Sequence, residues 1–446
     1  MKKKITLFIC LVFIFCFNFK AQHGFRFNNQ SKKHQRIRFK LINNLIVIPL
    51  ELNGKELSFI FDSGVTRTIL FKISENDSIG LNDIEKVMLQ GLGKGDPIEA
   101  FLSRKNNISI KNLVSNNETI YAILDDHFDL SSKMGTTIHG IIGYNLLKNF
   151  IVKINYGSKK IDFYNPKTYK YKKCRKCEVF ALELNRKKPY IDLKVQIDTV
   201  IDKLTDVKLL IDSGGSDAIW LFENSKEEIK TPKLFFKDIL GEGLSGPIYG
   251  NRSRIPKIKL GSFEIKNPTV SFLDTISTKN ARGFRKRNGS IGGAILNKFI
   301  VWFDYPHRQL RLKKNASFSK GFNYNMTGLD VVYSGKQLVR EQVVKTYKDG
   351  YNNKLEEKNT ASLITNYLYK FKPSFKIKSV LKNSPAEKVG LLKDDIILSI
   401  NNIQSHRLNL NEITLKFQER DNKKIKIIIE RNGKKMKFEF RLEKKI

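Results

Sequence analysis

The stretch Leu57-Ser58-Phe59-Ile60-Phe61-Asp62-Ser63-Gly64 decides how this chain is read. It is an apolar strand that runs into a tight turn and presents one carboxylate. The chain then does the same again with Val207-Lys208-Leu209-Leu210-Ile211-Asp212-Ser213-Gly214. The two aspartates are 150 positions apart (212 minus 62).

More than the aspartate turns repeats. Ile141-Ile142-Gly143, followed by Asn149-Phe150-Ile151-Val152, is answered by Ser290-Ile291-Gly292, followed by Lys298-Phe299-Ile300-Val301. The glycines are offset by 149 (292 minus 143), and so are Tyr156 and Tyr305 (305 minus 156). Gly91 and Gly93 in the first half correspond to Gly241 and Gly243 in the second, each pair between strand-like segments. Solenoid units run roughly 20–50 residues, so this period marks a duplicated lobe with its own core.

Composition bounds the rest. With 446 residues and 41% hydrophobic content the chain is globular and holds several domains. The net charge is +37, from 81 Lys and Arg against 44 Asp and Glu. The lysines are scattered and form no Arg/Lys stripe with stacking residues, so nucleic acid is not expected as a partner. A basic surface does suit an anionic envelope.

Residues 1–21 read as a secretory signal. Three lysines precede a nearly continuous apolar run over 5–19, which falls short of the ~20 residues that span a bilayer. Export is expected, periplasmic or secreted, with an uncleaved membrane anchor as the alternative. Of the four cysteines, Cys10 and Cys16 lie in this segment; Cys174 and Cys177 remain, as a local disulfide or as two idle thiols. No ligand spacing for a metal is present.

The pattern predicts mainly β structure. Residues 22–165 form a first lobe, beginning with an irregular leader over 22–40. Residues 166–180 form a polar linker, and 181–315 a second lobe. Residues 316–446 form a small α+β domain with an insertion around 335–370, a long hairpin or a loose segment. In that last part 323–333 reads as a strand containing Gly328. Ser384-Pro385 starts a short helix, and 410–417 is helical in pattern.

The two Asp-Ser-Gly turns with their downstream apolar-Gly motifs resemble the aspartic peptidases. The arrangement is two-lobed as in pepsin-like enzymes, with compact lobes as in retropepsin-like ones. Ser384-Pro385-Ala386, Gly390-Leu391, Asp395-Ile396-Ile397 and Ile400-Asn401 resemble a PDZ domain of bacterial type. The combination is similar to exported bacterial aspartyl peptidases with a trailing PDZ domain. Ser63 and Ser213 stand where Thr is commoner, Val65 and Gly215 where small or hydroxylated residues are usual, and Ser290 where an apolar one is.

The resemblance implies an aspartic endopeptidase whose active site is complete within one chain. Asp62 and Asp212 would share one proton and activate water, with no cofactor and no metal. Ser63 and Ser213 would tie the turns across the lobes, and Gly64 and Gly214 would permit close approach. The hairpin tips at Gly91, Gly93, Gly241 and Gly243 would cover a peptide or protein substrate. The PDZ domain would bind protein termini, with Gly328 and Leu329 near its carboxylate loop and 410–417 as its groove helix. Two other classes compete. One is a catalytically inactive scaffold that binds peptides through its PDZ domain. The other is a serine or cysteine hydrolase in which Ser63 or Ser216 uses His127, His139 or His307.

Overall fold

The computed structural model describes residues 24–71, 79–91, 95–123, 129–198, 200, 202–244, 246–348 and 361–446. The signal segment with Cys10 and Cys16, the tip glycine Gly93, and His127 lie outside the described residues. The described chain is mainly β.

Local turn chemistry sets up the first lobe. Leu45–Leu52 alternates toward its end and buries its apolar side chains, then Asn53 and Gly54 turn the chain with φ of 47° and 86°. Both angles lie in the left-handed region that a two-residue hairpin requires. The strand Lys55–Phe61 therefore returns in register, Leu50 opposite Leu57, and ends at Asp62.

A third strand holds each aspartate turn. In the first lobe Gly140–Ile142 runs parallel to the Asp62 strand, with Gly140 opposite Phe59, and antiparallel to Thr68–Phe71. In the second lobe Arg287–Ile291 runs parallel to Thr205–Ile211, which ends at Asp212, and antiparallel to Ile219–Phe222. The strand into each turn and the strand out of it thus flank a closing strand. The turn cannot shift without breaking two ladders.

The lobes join through a third sheet. Ile151–Asn155 pairs antiparallel with Phe299–Asp304, and Lys153 lies opposite Trp302. These two positions are themselves repeat equivalents (302 minus 153 is 149), so the pseudo-twofold axis of the duplication passes between them. Phe150, Val152, Ile154, Phe299, Val301 and Phe303 are all buried, and a single apolar core runs through both lobes and this sheet.

Two expectations are corrected at the edges of this sheet. The leader is not irregular throughout: His34–Arg38 is a strand paired with Lys160–Tyr164. Only Ile37 of its five residues is buried, so periodicity was too weak to reveal it. The linker likewise ends inside a strand, Cys177–Ala181, which pairs with Gln309–Lys314 at the opposite edge. Cys174 and Cys177 form a disulfide just before it, the first of the two readings of that pair.

The C-terminal part has its own core, built on Phe375, Ile377, Ile397, Ile413, Phe417 and Ile427. Ser384 caps the helix Pro385–Lys388. Asn409 and Glu412 form a reciprocal capping box on Leu410–Phe417. Buried Asp395 holds the Arg431 guanidinium at 2.6 and 2.7 Å. Around the insertion expected over 335–370, Leu329–Lys348 pairs antiparallel with Ala361–Val380; residues 349–360 lie outside the described residues. The strand expected over 323–333 begins only at Leu329. Gly328 precedes it with φ of 79°, because the chain must turn there to pass Ser384.

Candidate active site

Asp62 and Asp212 meet at the junction of the lobes, and their carboxyl groups are hydrogen-bonded to each other. The Asp62 amide donates to the Ile142 carbonyl and the Asp212 amide to the Ile291 carbonyl, both at 2.9 Å. The closing strands therefore aim both turns. Gly64 N–H donates to Asp62 Oδ1 at 2.7 Å, and Gly214 N–H to Asp212 Oδ1 at 3.0 Å. Each carboxylate is thus oriented by an amide of its own turn.

The serines lock the turns together. Ser63 Oγ donates to the Ile211 carbonyl at 2.7 Å and accepts from Ser213 N–H at 3.0 Å. Ser213 Oγ donates to the Phe61 carbonyl at 3.0 Å and accepts from Ser63 N–H at 2.9 Å. Both serines are fully buried, so these four bonds satisfy groups that would otherwise be stranded away from water. The hydroxyl alone makes them, and serine in place of threonine keeps the lock.

Glycine is required where the turns touch. A Cβ at Gly214 would fall on the Asp62 carboxylate, and one at Gly64 would stand 3.1 Å from the Asp212 carboxylate. Gly143 and Gly292, in the closing motifs, lie against the carbonyls of Asp62 and Asp217 in the same way. Val65 packs its side chain with the smaller apolar cluster of lobe 1 and gives its carbonyl to the Tyr144 amide at 3.1 Å.

Burial, the Asp212 charge and the hydrogen bond between the two carboxyls push the Asp62 carboxyl up from its ordinary range; Gly64 N–H and Lys188 pull the other way. Two close carboxylates of this kind hold one proton between them.

The hairpins that carry the candidate tips reach one another across the cleft. Glu85–Leu89 pairs with Ile98–Ile110, and Phe236–Gly243 with Gly246–Arg254. Leu244, at the tip beyond Gly241 and Gly243, lies against Gly91 and packs against the smaller apolar cluster of lobe 1, which contains Leu89. The Gly91 carbonyl also accepts from Asn280 at 3.1 Å. Both lobes therefore contribute a hairpin to this contact.

Of the histidines of the hydrolase alternative, the two described ones are engaged elsewhere. His139 Nδ1 accepts from Ser58 N–H at 3.0 Å, and His307 Nδ1 lies 2.8 Å from Asp304. Ser63 Oγ is committed to the cross-lobe bonds.

The PDZ candidates sit at the start of their strand. Gly328 accepts from Leu381 N–H at 2.8 Å, and Leu329 N–H donates to Thr327 Oγ1 at 3.0 Å while its side chain is buried. The strand and the Leu410–Phe417 helix both face lobe 1. The helix Leu130–Met134 packs on the strand, and Gly135 lies against Leu410.

Sequence reasoning missed Lys188, Tyr190 and Arg287, which line lobe 2 beside Asp212. Lys188 and Arg287 stand in two separate basic stretches, Arg186-Lys187-Lys188 and Arg285-Lys286-Arg287, of a lysine-rich chain, and nothing local distinguishes either.

Fold and site together define a two-lobed aspartyl protease-type body followed by a PDZ domain. Residues 48–146 match the aspartyl protease family model, and residues 376–431 match the PDZ domain model. The chain therefore contains an aspartyl protease domain and a PDZ domain. No curated protein matches it.

Proposed function

We propose that the chain is an exported aspartic endopeptidase, with Asp62 and Asp212 as its catalytic pair. The observation that carries this reading is the hydrogen-bonded carboxyl pair, fixed from both lobes by the Ser63 and Ser213 bonds. The ionised member takes a proton from a bound water, which attacks the scissile carbonyl. The protonated member donates to the carbonyl oxygen as the tetrahedral centre forms. The proton taken from water then passes to the leaving amine as the C–N bond breaks, while a hydroxyl of the tetrahedral centre returns its proton to the other carboxylate, and the pair again holds one shared proton. The flaps exclude bulk water while this happens. The PDZ domain binds peptide or protein termini, and export follows from the basic-apolar segment over 1–19.

The test is cleavage of a mixed peptide library by the full mature chain from acid to neutral pH. Wild type is run beside Asp62→Ala and Asp212→Ala. Each substitution is expected to lower kcat by about 10³-fold or more. Cleavage that survives in either variant rejects the pair, and a wild type that cleaves nothing supports the inactive scaffold.

A further inference from the structure

Lobe 2 contains two nearly enclosed arginines with different surroundings. Arg252, 9% exposed, is neutralised twice, by Asp217 at 3.1 Å and by Asp238 at 2.7 Å. Arg287, 5% exposed, meets no carboxylate at hydrogen-bond distance among the described residues. Its Nε donates to the Gly289 carbonyl at 3.0 Å, Tyr190 lies within electrostatic reach, and its guanidinium stands 5.0 Å from the Phe222 ring.

A second cation stands beside it. Lys188 opens the strand Lys188–Gln196, whose register places Tyr190 opposite Leu210. Continued by two residues, that antiparallel register puts Lys188 opposite Asp212. Burial, and then the Arg287 charge, hold the Lys188 amine below its ordinary range. The carboxylates of Glu183 and Asp192 are both taken by Lys208, at 2.7 and 2.8 Å.

Among the described residues, the carboxylates that act on Lys188 are Asp212 and Asp62, and the one that acts on Arg287 is Asp212; the pair carries one negative charge when it shares a proton. With Lys188 protonated, one positive charge is left over beside the pair. A buried charge left without a counter-charge is costly, so the site is built for an anion that arrives with the substrate.

We infer that Lys188, backed by Arg287 and Tyr190, forms a carboxylate-binding subsite beside Asp212. It takes an acidic side chain or the C-terminal carboxylate of a substrate cleaved near its end. This rests on the peptidase reading above and names the substrate class of that site. Lys188, which is partly exposed, touches the carboxylate. Arg287, enclosed behind it, supplies fixed charge.

The experiment uses the full chain and matched peptides that differ only by Glu or Gln next to the scissile bond, each with a free or an amidated C-terminus. Wild type is expected to prefer a carboxylate by about 30-fold in kcat/KM, the scale of a charge-assisted hydrogen bond. Preference for Glu whatever the terminus assigns the subsite to a side chain. Preference for the free terminus assigns it to the chain end. In Lys188→Met the ratio is expected to fall below about threefold, and Lys188→Arg to restore it. Equal cleavage of all four peptides by wild type overturns the subsite. If none is cleaved, binding of the same peptides, fluorescently labelled, is read by anisotropy. Tighter binding of the carboxylate forms then keeps the subsite while the peptidase reading falls, and equal binding overturns the subsite.

Discussion

The hydroxyl of Ser63 does two jobs at once, as acceptor for Ser213 N–H and as donor to the Ile211 carbonyl. Ser63→Ala leaves both partners buried and unsatisfied, and should cost about 2 kcal/mol or more in denaturant unfolding. Ser63→Thr should keep the bonds and most of that stability. Asp62 makes a prediction about pH. Its carboxyl is raised above the usual 3.8 by burial and by Asp212, so the folded chain keeps a proton that the unfolded chain releases. Below about pH 4 both states hold the proton, and the raised group withdraws no stability. As the pH climbs, the unfolded state is favoured progressively. Asp62→Asn removes this effect. Its gain in Tm over wild type should therefore be small at pH 4 and larger at pH 7.5, by calorimetry. A gain that shrinks with rising pH would contradict the assignment of the raised carboxyl. The same raised carboxyl should carry the alkaline limb of cleavage toward neutrality.

At the scale of elements, the two flap hairpins are joined by Leu244, which leaves its own hairpin and packs with lobe 1. Among the described residues, Leu244 is a side chain of one hairpin that reaches the other. Leu244→Ala should weaken closure, changing kcat and KM together and lowering kcat/KM by about tenfold, while thermal unfolding hardly moves. The closing strands are the other decisive elements. Gly140–Ile142 and Arg287–Ile291 each sit between the two strands of an aspartate turn, and their carbonyls receive the aspartate amides. This explains why the apolar-Gly motif recurs at the same spacing as the aspartate turn. The two motifs form one unit in each lobe.

At the scale of the molecule, the PDZ domain touches both lobes. On one side Gly135, at φ of 64°, lies 2.8 Å in Cβ terms from the Leu410 Cβ, and Asn43 N–H reaches Asn411 at 3.4 Å. On the other side Arg254 of lobe 2 donates to the Ile446 carbonyl at 3.4 Å, and Phe236 packs with the PDZ core. Gly135→Val puts a branched side chain into a closed contact at a left-handed backbone position. It should cost about 2 kcal/mol and raise hydrogen exchange in Leu410–Phe417, if this contact holds the domain in place. Unchanged exchange there would mean that the PDZ domain sits independently of lobe 1. The helix Leu130–Met134 of lobe 1 also packs against the PDZ strand Leu329–Lys348.

Several features were legible in the amino-acid order alone: the pair of aspartate turns, their closing motifs, the Asn53-Gly54 hairpin, the two glycine-rich hairpins, the helix starting at Ser384 and the helical pattern over 410–417. Each is a contiguous signal, in which the residues that make the turn, cap or buried face lie within one short window. Other features arose only on folding. The strand His34–Arg38 has one buried side chain and exists because Lys160–Tyr164 offers it an edge. The contact between the Leu130–Met134 helix and the PDZ domain joins segments about two hundred residues apart, and neither carries a mark of the other. The charge left over at Lys188 and Arg287 is of the same kind. A lysine-rich chain does not show which of its cations lack a partner, because a missing counter-charge is a property of three-dimensional surroundings.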